Sequence, residues 1–168
     1  MTLKLKDLLP ERTTTPTFKR TDRVHTNSKD LPTDILLRRY GTPRQPRGPK
    51  PKGVWYAFGD AWIDYVKWND ETRSGSSAYY YLVDVGGCKL LKMKKYKELV
   101  EFTQEFTYDD DNPYYINWAK VAKKYDGIEI NPHVTQAAKD KVTQWYQYWD
   151  IASGCVWRSK KLKLKKIK

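Results

Sequence analysis

Cysteine and histidine are nearly missing from this chain of 168 residues, which holds two of each. Cys88 and Cys155 stand in apolar contexts (Gly-Gly-Cys-Lys-Leu-Leu and Ser-Gly-Cys-Val-Trp). His25 and His133 do not join them at ligand spacing, so neither a disulfide framework nor a metal site is expected, and the thiols read as buried and free. No run of about 18 apolar residues occurs, which argues against a membrane-spanning helix. Met1 to Asp7 (MTLKLKD) lacks the apolar segment of a secretory signal, so a non-secreted protein is expected. A Gly-rich phosphate loop, a nucleophile elbow and a Cys/His pair are missing as well, which removes the best-marked hydrolase and phosphotransferase classes. Proline is scarce after residue 51, since seven of the nine precede residue 52.

Charge and aromatic rings are abundant, and they are kept apart. The formal net charge is +12, yet residues 1–53 carry 13 Lys/Arg against 5 Asp/Glu, and residues 158–168 carry seven bases and no acid. The 104 residues between hold 12 bases and 15 acids, with all seven Trp and twelve of the thirteen Tyr. This pattern reads as a slightly acidic aromatic body with a basic arm at each end. Residues 1–34 are rich in Thr, Pro and charge, with a Leu3/Leu5/Leu8/Leu9 cluster as a docking turn, and are expected to be extended. The body covers 35–157 and includes the Pro/Arg-rich segment 41–52 (polyproline II in character), and 158–168 is a Lys-rich tail.

Within the body, Ile35–Tyr40 is expected as a strand, and Gly53–Phe58 as another by its β-branched and aromatic content. Asp60 is placed to cap a helix whose apolar face holds Trp62, Tyr65 and Val66. Residues 69–77 read as a loop, and the runs 78–85 and 88–93 around Gly86-Gly87 as a tight hairpin. Helices are expected over about 95–106, 116–125 with Asn117 as cap, and 135–146, with Asp109-Asp110-Asp111 in an acidic loop. Ile128-Glu129-Ile130 is a short strand and 150–157 turns into a last one. The mixture predicts an α+β single domain with a small mixed or antiparallel sheet and about four helices, flanked by extended basic arms.

Two sets of basic residues are candidates for polyanion binding without base readout. They are Arg38, Arg39, Arg44, Arg47, Lys50 and Lys52 before the body's first aromatic strand, and Arg158, Lys160, Lys161, Lys163, Lys165, Lys166 and Lys168 at the end. Leu162, Leu164 and Ile167 alternate loosely with the lysines, so the tail is also suited to add as a strand to a neighbour's sheet edge. They form no helical apolar face, so a membrane partner is not expected. Tyr79, Tyr80 and Tyr81 are the interface candidates, with one face of their strand partly exposed. Glu129 lies between two isoleucines, where a charge is costly without a partner. Facing a cleft it would be an acid, base or electrostatic stabiliser; with both isoleucines on the core it would point outside.

Three segments, Pro51-Lys52-Gly53-Val54-Trp55-Tyr56 with Trp62, Tyr125-Asp126-Gly127-Ile128-Glu129-Ile130-Asn131-Pro132, and Trp149-Asp150-Ile151-Ala152-Ser153-Gly154-Cys155-Val156-Trp157, together resemble a family of small proteins of large DNA viruses and bacteriophages. The resemblance covers about residues 36–157 and implies a virion or host-cytoplasm location. The layout is also loosely similar to ADP-ribosyltransferase-like folds, which set an Arg or His on a first strand, a small polar or aromatic residue on the next and a Glu on a later one. That similarity implies Arg39, Tyr56 and Glu129 in those places and NAD as substrate, although Ser-Thr-Ser after the second strand and Glu-x-Glu are missing. The leading expectation is a structural component of a large assembly, a minor capsid or virion-associated protein, whose partners are other protein subunits and, through the arms, nucleic acid. It has no cofactor and no small-molecule substrate, and enzymatic activity is not favoured. The alternatives are an NAD-using transferase and a sequence-independent nucleic-acid-binding module.

Overall fold

The computed structural model describes residues 15–41, 44–69, 79–108 and 112–167. In chain order the elements are β1 (Arg23–Asn27), α1 (Thr33–Tyr40), β2 (Arg47–Gly48), β3 (Val54–Phe58), α2 (Ala61–Asn69), β4 (Tyr79–Asp84) and β5 (Leu90–Met93). They continue with α3 (Tyr96–Phe106), β6 (Ile116–Asn117), α4 (Trp118–Lys124), β7 (Gly127–Ile130), α5 (Thr135–Ala138), β8 (Ser153–Val156) and β9 (Lys163–Lys166). Short 3-10 helices cover Gln144–Tyr148 and Ser159–Lys161. The result is a single α+β domain, with a sheet larger than the small one expected. Seven strands run in the order β5-β7-β8-β3-β1-β4-β9, all neighbours antiparallel except β5 and β7, while β2 and β6 form a separate pair.

The connection from β4 to β5 shows why this sheet curls. Residues 85–89 link two strands that have four others between them in the sheet order. Five strand spacings in a flat sheet come to about 24 Å, more than so short a link spans at roughly 3.3–3.6 Å per residue. The sheet therefore bends until its two edges approach. Alternation then sends one set of side chains inside the curl and the other outside. Inside lie Val54, Tyr56, Val83 and Val156, with Leu162 and, from α1, Leu37 and Tyr40. Outside, Ile128, Ile130, Met93 and Cys155 pack under α3, α4 and α5 with Trp118, Trp145, Trp149 and Trp157. A third cluster, Val24, Ile63 and Tyr80, lies under α2.

Local chemistry explains most of these elements. Asn117 Oδ1 accepts the Lys120 N–H at 2.9 Å and starts α4, which buries Trp118, Val121 and Ala122. In α3 the Glu98 carboxylate accepts the Lys94 and Lys95 N–H groups at 2.6 and 2.9 Å and secures the first turn, and Leu99, Phe102, Thr103 and Phe106 form its buried stripe. Gly59 sits at φ +57 between β3 and α2, a conformation that favours glycine. Both cysteines are free.

Several expectations need correction. Residues 35–40 are helical, because Leu36, Leu37 and Tyr40 share one face and Arg38 reaches Asp34 one turn back at 2.8 Å. Pro32-Thr33-Asp34 is the start signal that outweighs the β-like run. The strands at either end of Gly86-Gly87 are present but do not pair with each other, since β4 lies between β1 and β9 and β5 lies on β7. The expected helix 135–146 stops at Ala138, where Thr143 Oγ1 donates to the Ala137 carbonyl and the Val142 N–H to Asp140 Oδ1. Neither described arm stands apart: β1, inside the expected 1–34 arm, is internal to the sheet, and β9, inside the expected tail, pairs with β4. The Leu3/Leu5/Leu8/Leu9 turn, Lys168, the Asp109–Asp111 run and residues 70–78 lie outside the described residues.

Candidate functional site

Glu129 is buried at 7 % exposure, and neither expectation for it holds. Ile128 and Ile130 do face the outer core, but the other side of β7 is the interior of the curled sheet, not solvent. There Arg23 Nε donates to Glu129 Oε2 at 2.7 Å and Nη2 to Oε1 at 3.2 Å. The Tyr56 hydroxyl donates to Oε2 at 2.8 Å, and Lys92 Nζ lies 3.9 Å from Oε1. The hydrogen bond to Glu129 is the largest influence raising the Arg23 pKa, and burial, reinforced by the Glu129 charge, pushes the Tyr56 hydroxyl up. Arg23 also lies over the Tyr56 and Phe58 rings, 5.9 and 5.5 Å from their centroids. Glycine at 154 is required here, because a Cβ would sit 2.4 Å from the Tyr56 ring. Every oxygen of this carboxylate is engaged, so the cluster is built as a fold-holding pair.

The sheet parts between β1 and β3, and the cleft there takes lining residues from both faces. Strands β1 and β3 pair only at Arg23↔Phe58 and Val24↔Ala57. Beyond that point the His25 ring takes up the β3 backbone, with Nδ1 2.7 Å from the Trp55 carbonyl oxygen. A carbonyl only accepts, so Nδ1 carries the proton, and burial lowers the His25 pKa and keeps the ring neutral. Where the ladder parts, a cleft of about 280 Å³ opens, floored by Val24, Thr26 and Ala57. Its walls are Trp55, Trp62 from α2 and Trp149, with Lys50, Asp150 and Ser153 at polar positions. Trp55 and Trp149 meet edge to face at 4.8 Å, and Trp62 stacks on Tyr65 at 5.4 Å. The Tyr65 hydroxyl bonds Asp150, which ties α2 to the chain after Trp149. Lys50 Nζ lies 5.4 Å from the Trp55 ring centroid. Trp149 Nε1 is buried without a hydrogen-bond partner among the described residues. Flat apolar walls with a cation and a carboxylate beside them suit a planar ligand that carries a charged group.

Of the trio that the transferase similarity implied, Tyr56 and Glu129 meet, but Arg39 does not join them. Arg39 sits exposed on α1 over the Tyr40 ring, and Arg23, on the true first strand, holds the position beside Glu129. Tyr56 lines the cleft, whereas Glu129 is not among its lining residues. The tyrosine interface is also corrected. Tyr80 is 7 % and Tyr81 0 % exposed, because α2 covers one face of β4 and the Tyr81 hydroxyl donates to the Leu31 carbonyl inside the curl. Tyr79 is partly buried.

The basic candidates scatter. Arg47 lies 4.9 and 4.8 Å from the Tyr108 and Tyr115 ring centroids, Arg44 lines a surface groove with Trp157 and Arg158, and Lys52 is exposed. Arg158 and Lys161 bind Asp126 at 3.2 and 2.8 Å, and Lys166 binds Asp30 at 2.5 Å. Lys160, Lys163 and Lys165 are exposed with no ion-pair partner among the described residues. Sequence reasoning missed Arg23 and His25, since both fall in a stretch read as extended; Trp149 is a core residue that also lines the cleft, and Trp62 lines it from α2. The i, i+2 spacing of Arg23 and His25 before an apolar-aromatic strand was the available signal.

Comparison of the chain with protein-family models, with curated proteins and with solved structures gives no match in any of the three. What the fold and site define is an α+β domain on a curled seven-stranded sheet with a tryptophan-walled cleft. Among the described residues no group of His, Cys, Asp and Glu is arranged to hold a metal ion, and no helix is long and apolar enough to cross a membrane.

Proposed function

We propose that this domain binds a nucleotide, with NAD as its first candidate ligand, in the cleft between β1, β3 and Trp149. The observation that carries this reading is the convergence of Trp55, Trp62 and Trp149 on one cavity where two strands part, with Lys50 beside them. A volume of about 280 Å³ accommodates a base and part of its ribose, with the phosphates reaching outward past Lys50. Base–aromatic stacking contributes about 1–3 kcal/mol per base, enough to rank ligands by their ring. Glu129 serves this reading as a support for Tyr56. The transferase chemistry implied for Glu129 would require it to leave Arg23, which favours ligand binding in the cleft over catalysis at that carboxylate.

Calorimetric titration with NAD, AMP and ribose 5-phosphate tests the reading. The two ligands with bases are expected to bind and ribose 5-phosphate to bind at least tenfold more weakly. Equal affinity for all three, or no heat from any, overturns it. The assembly reading drew its support from separable arms, and β1 and β9 are parts of the sheet. What continues to favour a polyanionic partner is the lysine-rich edge strand.

A further inference from the structure

We propose that strand β9 and the turn before it form a docking track for the phosphate backbone of nucleic acid, a surface separate from the tryptophan cleft and independent of its ligand. Residues 158–167 contain six Lys/Arg and no acid. The fold consumes three of these charges: Arg158 and Lys161 on Asp126, and Lys166 on Asp30. The other three, Lys160, Lys163 and Lys165, stay exposed and without an ion-pair partner among the described residues. Lys163 and Lys165 are two apart on one strand, so they project from the same face about 7 Å from each other. They line a groove of about 600 Å³ at the end of β4 and β9, which Arg23 also borders.

Two carboxylates share this groove. Asp84 stands opposite Lys163 in the ladder with Oδ1 accepting the Gly86 N–H at 2.8 Å, and Asp22 Oδ2 accepts the Lys19 N–H at 2.9 Å. Both are turned to the backbone and form no salt bridge with Lys163 or Lys165 among the described residues. Lysine meets phosphate as a point charge, so the contact is blind to sequence and sensitive to salt. A membrane is a poorer fit. Among the described residues the exposed large apolar side chain nearest in sequence to the lysines is Ile167, with Trp68 on α2 and Val142 between α5 and the 3-10 helix at Gln144–Tyr148. Lysines also guard sheet edges against pairing, and the experiment must separate that role from binding.

Fluorescence anisotropy of a labelled 20-mer DNA duplex across about 50–200 mM salt makes the test. Three phosphate contacts predict a log–log slope of about −3, a loss of affinity of about 30- to 50-fold over that range. Lys163→Gln/Lys165→Gln is expected to flatten the slope by about two, while Lys163→Arg/Lys165→Arg keeps it. Lys139→Gln/Lys141→Gln removes the same charge from an exposed stretch beyond α5 and is expected to leave the slope within half a unit of the wild type. The proposal is overturned if the glutamine pair binds with the wild-type slope, if both glutamine pairs flatten it equally, or if phosphatidylserine vesicles compete more tightly than DNA. Self-association of Lys163→Gln/Lys165→Gln with unchanged DNA binding would assign the lysines to edge protection alone and overturn it too.

Discussion

Two polar clusters on the curled sheet differ in how their groups are satisfied, although His25 Nε2 and Asn27 Nδ2, on the inner face of β1, have no hydrogen-bond partner among the described residues. Inside, Glu129 accepts from Arg23 and Tyr56, and Lys92 lies nearby. Outside, among the described residues, Lys50 borders the cleft over Trp55 without a salt bridge and the buried Trp149 Nε1 has no hydrogen-bond partner. A buried charge that is fully paired reports on folding, because breaking it leaves its partner uncompensated. A cation beside an aromatic cavity without such a partner, as Lys50 is, is available to a ligand. The contrast teaches that the most suspicious residue in the sequence, a glutamate among isoleucines, is held in an ion pair inside the sheet, while Trp55, Trp62 and Trp149 line the cleft.

Breaking the inner face should have the largest effect. Glu129→Ala leaves Arg23 against an apolar interior and is expected to lower stability by about 3 kcal/mol, a fall in Tm of roughly 10 °C. Differential scanning calorimetry reads this directly, and a fall under roughly 3 °C would mean that the pair is dispensable. Gly154→Ala comes next. Its Cβ would meet the Tyr56 ring at 2.4 Å and drive the hydroxyl from Glu129, at about 2 kcal/mol in chemical denaturation.

Trp62→Ala sharpens the comparison from the other side. Trp62 is only partly buried and stacks on Tyr65, so its loss is expected to weaken ligand binding by about 1–3 kcal/mol, five- to 150-fold. The same variant should keep Tm within roughly 4 °C of the wild type. The smallest effect concerns pH. His25 is buried and neutral with its pKa lowered, so below its ordinary value of 6.5 the unfolded chain takes up a proton that the folded chain resists. More protons in the unfolded state mean that stability falls as pH drops below 6.5 and is recovered as pH rises through it. His25→Asn, which offers an amide N–H to the Trp55 carbonyl, is expected to flatten that part of a Tm–pH curve between pH 7.5 and 5.5.

Much of the local structure was legible in the sequence. The aromatic run 54–58, the Asn117 cap and the stripe of α3 each follow from side chains acting within a few residues, where propensity and capping dominate. Pairing was not legible. The Gly86-Gly87 turn is real, but β4 and β5 find partners distant in sequence, and only the curl of the sheet makes so short a link possible. The charge partition concealed β1, because Arg23 and His25 are polar only until Glu129 and the Trp55 carbonyl meet them. The transferase similarity named Tyr56 and Glu129 together with Arg39, whereas the arginine that meets them is Arg23, from a stretch read as an arm.

In the proposed reading the cleft binds the nucleotide while the Arg23–Glu129–Tyr56 cluster supports the fold. Tryptophan fluorescence titrated with NAD, on the wild type, Trp62→Ala and Glu129→Gln, tests it most directly. The account predicts saturable quenching in the wild type and at least tenfold weaker binding in Trp62→Ala. It predicts near wild-type affinity in Glu129→Gln at a temperature where that variant is folded. Lost binding in folded Glu129→Gln with Trp62→Ala unaffected would contradict it and move the site to the inside of the sheet.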